Sequence, residues 1–263
     1  MNMPKPISLM FLLLLVACSK DRDDKTVIDD NGNPQTIDTS GNKKPVGDAA
    51  GDMLSADPFN AIHFEIFHVE GFEPTPSTID NFKTFLQERI NKPAGVTIEL
   101  KEIASPGPAI YSINDIRDLE DDLRTKYNGG SEMAVFGLFI DGEYSENTAE
   151  GSVLGVAYRN TSFVIFEETV KSFSNQPLGP GTTVLETTVI NHEFGHLLGL
   201  VNAGTAPQSD HQDVEHGRHC TIDDCLMYWT AETGEGLLNM ISGGSVPSMD
   251  GQCLADLQAN GGK

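Results

Sequence analysis

Residues 182–200 read TTVLETTVINHEFGHLLGL, and the rest of the chain is best read outward from them. At their centre stand His192, Glu193, Phe194, Gly195 and His196, an H-E-x-x-H pattern. On a helix, two histidines four apart project from one face about one turn apart. Their imidazoles can then share one zinc ion, with Glu193 placed to act as a general base on water. The helix is signalled independently. Leu185, Val189, His192 and His196 fall on one face, and Ile190, Phe194 and Leu197 on a second. Thr183 and Glu186 have the spacing of a capping box, in which the carboxylate folds back onto its own helix start. Gly199 follows His196 by three residues, where a glycine can end a helix and turn the chain sharply.

The chain has 263 residues, room for one domain and a tail. Its 17 Lys and Arg face 39 Asp and Glu, a net charge of −22. Such a balance offers phosphate no basic surface and argues against nucleic-acid binding. Residues 1–17 carry Lys5 and then an apolar run over 9–17. That run is too short to span a bilayer and reads as a signal peptide. It ends Leu15-Val16-Ala17-Cys18, which resembles a bacterial lipobox. The resemblance implies that Cys18 is lipidated, becomes the mature N-terminus and holds the protein on a membrane. Residues 18–57 are polar, without apolar periodicity, and read as a flexible acidic tether. The run Ser19-Lys20-Asp21-Arg22-Asp23-Asp24 resembles a signal that places lipoproteins on the outer face of some Gram-negative bacteria. The expected location is therefore the bacterial outer membrane, lipid-anchored and exposed at the cell surface.

Residues 58–263 are expected to form the folded domain. Strands are expected at 61–69, 96–103, 133–140, 153–158 and 162–166, and helices at 77–90 and 114–127. The segment 133–140, MAVFGLFI, is apolar throughout and should be buried on both faces. A Pro- and Gly-rich loop at 176–181 leads into the H-E-x-x-H helix, and a short helix near 250–258 ends the chain. His63 and His68 read as ordinary strand residues.

The pattern H-E-x-x-H-x-x-G, with Cys225-Leu226-Met227 downstream, resembles the metzincin clan of zinc proteases. The resemblance implies an α+β fold: a twisted mixed sheet, two backing helices, the active-site helix, a methionine turn at Met227 and a small C-terminal subdomain. In most metzincins the third zinc ligand lies six residues after the second histidine. Here that residue is Asn202, a poor ligand. Archaemetzincins are the more similar group, with a third histidine in the order H-C-x4-C-x-M. His219, Cys220, Cys225 and Met227 reproduce that order. The implied account is an insertion after Leu200 that returns with His219 as ligand. His216 and His211 are the alternatives, and Glu215 a more distant one.

Archaemetzincins also hold a second, structural zinc by C-x4-C and a later C-x2-C. Here these positions are Cys220, Cys225, Cys253 and Asp256, so either a Cys3Asp zinc or a disulfide with one thiol left over is expected. Tyr228 is read as structural. The expected function is a lipid-anchored zinc endopeptidase acting on protein or peptide substrates, with Glu193 as base and residues 162–166 as an edge strand that holds substrate. The alternative is a degenerate zinc-binding surface lipoprotein that binds a partner without cleaving it, which Asn202 keeps open.

Overall fold

A computed structural model describes residues 23–28, 32–149, 151–177, 179–241 and 244–263. The expected signal peptide and Cys18 lie outside the described residues. In chain order the elements are β1 (Asp24–Ile28), β2 (Pro34–Asp38), α1 (Ala50–Leu54), β3 (Ala61–Val69), α2 (Pro76–Arg89), β4 (Gly95–Ile103), β5 (Ile110–Tyr111) and α3 (Ile113–Leu123). There follow β6 (Glu132–Ile140), β7 (Glu143–Tyr144), β8 (Gly155–Arg159), β9 (Ser162–Phe166), α4 (Glu167–Ser174) and α5 (Thr182–Leu197). The last are β10 (Gln212–Asp213), β11 (His219–Cys220), α6 (Gly234–Met240) and α7 (Gly251–Ala259).

The main sheet has the strand order β4-β3-β6-β9-β8. The first four are parallel, and β8 runs antiparallel to β9. Strand β6 is buried on both faces, as its apolar run requires. Met133, Val135 and Phe139 join one core, and Phe136, Leu138 and Ile140 the other. The first core also takes Phe82, Phe85 and Leu86 of α2 and Leu185, Val189 and Phe194 of α5. The second takes Ile116 of α3. Of the two expected backing helices, only α3 therefore covers the far face; α2 shares the face of α5.

Three expectations are corrected. Residues 162–166 are β9, an interior strand, and the edge is β8. All five residues of β9 are buried, and its apolar side chains enter both cores, which suits a strand flanked on both sides. The stretch 23–57, read as tether, carries β1, β2 and α1. Its few apolar residues fall where they count: Met53 and Leu54 are fully buried in the core. Asn42 is buried too, donating to the Asn128 side chain (2.9 Å) and accepting from its backbone N–H (3.2 Å). Helix α3 begins behind a Ser112–Asp115 capping box, not at Asn114, and stops at Leu123. There Arg124 turns inward to pair with the buried Glu120 at 2.7 Å.

Candidate metal centre

Helix α5 places His192 and His196 on one face, both buried. No side chain caps its start at Gly181. Glu186 does not fold back on its own helix. It accepts from Thr75 N–H at 2.9 Å and from the Thr78 hydroxyl, and Thr183 bonds the Thr75 hydroxyl at 2.8 Å. The capping-box spacing thus serves to dock α5 on the start of α2. The far end turns at Gly199, whose φ is +83°. Met227 packs beneath the helix, and a Cβ on Gly195 would collide with its sulfur.

After Gly199 the chain loops out and returns. A backbone bond from Val201 N–H to the Arg218 carbonyl, 2.9 Å, closes the base of the loop. The next residue is His219, on the short strand β11, and its ring meets the other two. Ring centroids lie 4.8 Å apart for His192 and His196, 5.3 Å for His192 and His219, and 5.1 Å for His196 and His219. The other candidates are elsewhere. Asn202 hydrogen-bonds Gln212 at 2.8 Å. His216 pairs with Asp213 at 2.7 Å and stacks on Trp229 with centroids 4.2 Å apart. Glu215 is exposed. His211 belongs to a second cluster.

Each of the three rings has its Nδ1 against a backbone carbonyl: Leu226 for His192 (2.7 Å), Leu200 for His196 (3.1 Å) and His216 for His219 (2.6 Å). A carbonyl only accepts, so each Nδ1 carries a proton, and a ring in its neutral form turns a bare Nε2 inward. The Nε2 atoms of His192 and His196 are 3.1 Å apart. The Nε2 of His219 is buried without a hydrogen-bond partner. Convergent lone pairs repel one another unless a cation lies among them, so this donor set fits a metal ion.

Two carboxyls border the rings. Glu193 is buried; its Oε2 accepts from Ala157 N–H of the edge strand at 2.6 Å, and its Oε1 has no partner. Burial, and then the nearby charge of Glu232, push its carboxyl well above the ordinary range. Burial pulls His192 down to about 4, which keeps that ring neutral. Glu232, which ends a 3-10 turn at Trp229–Glu232, is the residue that the sequence reading missed. Its Oε1 lies 2.9 Å from the Nε2 of His219 and 3.3 Å from that of His196.

The second cluster gathers Cys220, Cys225 and Cys253, the three cysteines among the described residues, which are free and buried. The sulfurs of Cys225 and Cys253 are 3.7 Å apart. The expected disulfide is therefore absent: these sulfurs share one pocket at non-bonded distance, and Met227 N–H and Asp250 N–H point at Cys225 Sγ, both at 3.4 Å. Asp256 does not stand as a ligand either. Its carboxylate holds Nε2 of the buried His211 at 2.8 Å, which turns His211 Nδ1 toward Cys220 Sγ at 3.4 Å. His211, Cys220, Asp250 and Cys253 form a group with donor atoms close enough to hold an ion.

No protein-family model and no curated protein sequence matches this chain. Among solved structures, an archaemetzincin from Methanopyrus kandleri is similar, with a TM-score of 0.46 and 18% identity over 76% of this chain and 96% of that one. Metalloproteinase-II from Bacteroides fragilis is similar at a TM-score of 0.45 and 13% identity, over 89% of this chain and 64% of that one. At these levels neither family nor activity transfers to this chain.

Proposed function

We propose that this chain is a zinc-dependent peptidase acting on protein or peptide substrates. The observation that carries the reading is the convergence of three Nε2 lone pairs, each fixed by a carbonyl on its Nδ1, beside a buried carboxyl. His192, His196 and His219 would hold the ion. When bound, zinc supplies Lewis acidity, acidifying water and polarising a carbonyl. In its ionised form Glu193 would take the proton of the attacking water and return it to the leaving amine. Ala157 N–H holds Oε2 of that carboxylate, leaving Oε1 to move the proton. An extended substrate would lie along β8, the sheet edge beside Glu193, by strand addition. Met227 fixes the floor beneath α5.

A second, structural ion would be held by His211, Cys220, Asp250 and Cys253, with Asp256 orienting the histidine in the carboxylate–histidine manner. Cys18 would tether the protein to the outer membrane through lipid, as its Leu-Val-Ala-Cys context suggests.

Glu193→Gln tests the chemistry. The variant should keep its zinc content and lose peptidase turnover by about 10²–10⁴-fold, the usual cost of removing a positioned acid–base group. Equal turnover of a peptide library by both proteins would reject the mechanism.

A further inference from the structure

The position of Glu232 has a geometry of its own. In a tetrahedral zinc site with bonds of about 2.0–2.1 Å, any two donor atoms lie about 3.3 Å apart. Glu232 Oε1 is 2.9, 3.3 and 3.7 Å from the Nε2 atoms of His219, His196 and His192. The His192 and His196 nitrogens are 3.1 Å apart. All four measured separations scatter about that edge length. These four residues also form a group whose donor atoms all lie within 4.8 Å of one another.

A proton could join the carboxylate to one imidazole, but not to three. At 2.9 Å the His219 pair is near enough for a hydrogen bond and not aligned for one, which leaves His219 Nε2 without a partner.

The backbone of Glu232 is fixed while its side chain is not enclosed. Its carbonyl accepts from Leu154 N–H at 3.0 Å, and Thr233 bridges Val153. The side chain is 36% exposed, against 0% for His192. The Glu232 side chain is therefore not enclosed as the His192 ring is.

We propose that Glu232 is a fourth protein donor of the three-histidine site, so that the resting site is closed and opens only when its carboxylate swings out. The proposal rests on the zinc reading above. Opening exchanges one oxygen donor for another; no covalent bond forms or breaks, and no electron moves. A catalytic zinc site needs an open position, whereas a structural one is closed by four protein ligands. Glu232 makes this site interconvertible between the two, and a substrate carbonyl or water must compete with a tethered carboxylate.

The test uses the full chain loaded with cobalt(II), and acetohydroxamate as the probe, in wild type, Glu232→Gln and Glu232→Asp. If the open form is a tenth of the population or less, removing the competitor tightens apparent probe affinity by about tenfold or more. Glu232→Gln should show that gain, with a cobalt absorption band that differs from wild type and responds to azide. Glu232→Asp, with its charge kept and its reach shortened, should fall on the Gln side, which separates coordination from charge. Circular dichroism checks that the variants fold. Identical spectra and identical acetohydroxamate affinity in wild type and Glu232→Gln would overturn the proposal while leaving a three-histidine peptidase intact. A wild type that binds no cobalt would remove both readings together.

Discussion

His219 enters the site with its Nδ1 tied to the His216 carbonyl at 2.6 Å, and that bond aims its other nitrogen at α5. If it is a ligand, His219→Ala should weaken zinc binding as much as His196→Ala, since either leaves two histidines. The loss should exceed the roughly 10–100-fold that removal of an outer partner costs. His216→Ala and Asn202→Ala should leave affinity at that site unchanged, because their side chains bond Asp213 and Gln212 instead. Competition with a chromophoric chelator measures all four; a loss in His216→Ala equal to that in His219→Ala would refute the assignment. At this scale the approach of the His219 ring to the other two was legible because Cys220, Cys225 and Met227 follow it at telling distances. Glu232 was not. One carboxylate among 39 acidic residues carries no mark, and only folding brings it above the rings. His211 was noticed for the wrong place: a histidine near a metal motif does not reveal which cluster its ring enters.

Helices α4 and α5 meet through Glu167 and Glu186, both fully buried. Glu186 already accepts from Thr75 and Thr78, so α2 is joined to the same point. Burial first, and then the neighbouring Glu186 carboxylate, push Glu167 up to about 10. The folded chain thus holds a proton there that the unfolded chain has released above its ordinary value of 4.5. The stabilisation is fully present below that ordinary value and declines as pH rises toward 10. Urea midpoints should fall across this window, with a slope of up to about 1.4 kcal/mol per pH unit. Glu167→Gln, which keeps the neutral form, should flatten the slope. A variant with the wild-type pH profile would show that the pair does not set it. The strands and the H-E-x-x-H helix were readable from period and burial pattern. The capping box misled because the same S/T-x-x-E spacing can serve a neighbouring helix. Helices α4 and α6, of eight and seven residues, are too short to display a period.

Across the whole molecule, the boundary of the folded unit lies earlier than composition suggests. Met53 and Leu54 are fully buried, and Lys25 donates to the Asp121 and Arg124 carbonyls at the end of α3. A chain that starts at residue 58 should lose about 1.5–3 kcal/mol for each of the two apolar side chains removed. Its denaturation midpoint should fall well below that of a chain starting at residue 23; equal midpoints would restore the tether reading. Export is the other prediction at this scale. Cys18→Ala should move the protein from the detergent-rich to the aqueous phase on phase separation. Partition unchanged by the substitution would rule out lipid at that residue. Composition misled over 23–57 because five well-placed apolar residues, Val27, Ala49, Ala50, Met53 and Leu54, hardly alter the average of a polar stretch, yet burial depends on where they fall.

The Val201–Arg218 bond that closes the loop before His219 separates two quantities that sequence patterns treat as one. How far apart two residues stand in the chain ceases to limit how near they come in space. Apart from His211 and the His216 carbonyl, which are held by the two clusters, what hangs from a pinched neck can lengthen, shorten or be exchanged while its base stays in register. The outermost part, near Val214 at 81% exposure, is thus a natural place to splice in a tag, a dye-bearing residue or a surface tether. Searches that count residues from the second histidine will pass over chains built this way; searches that look for a pinched neck followed by a histidine will find them.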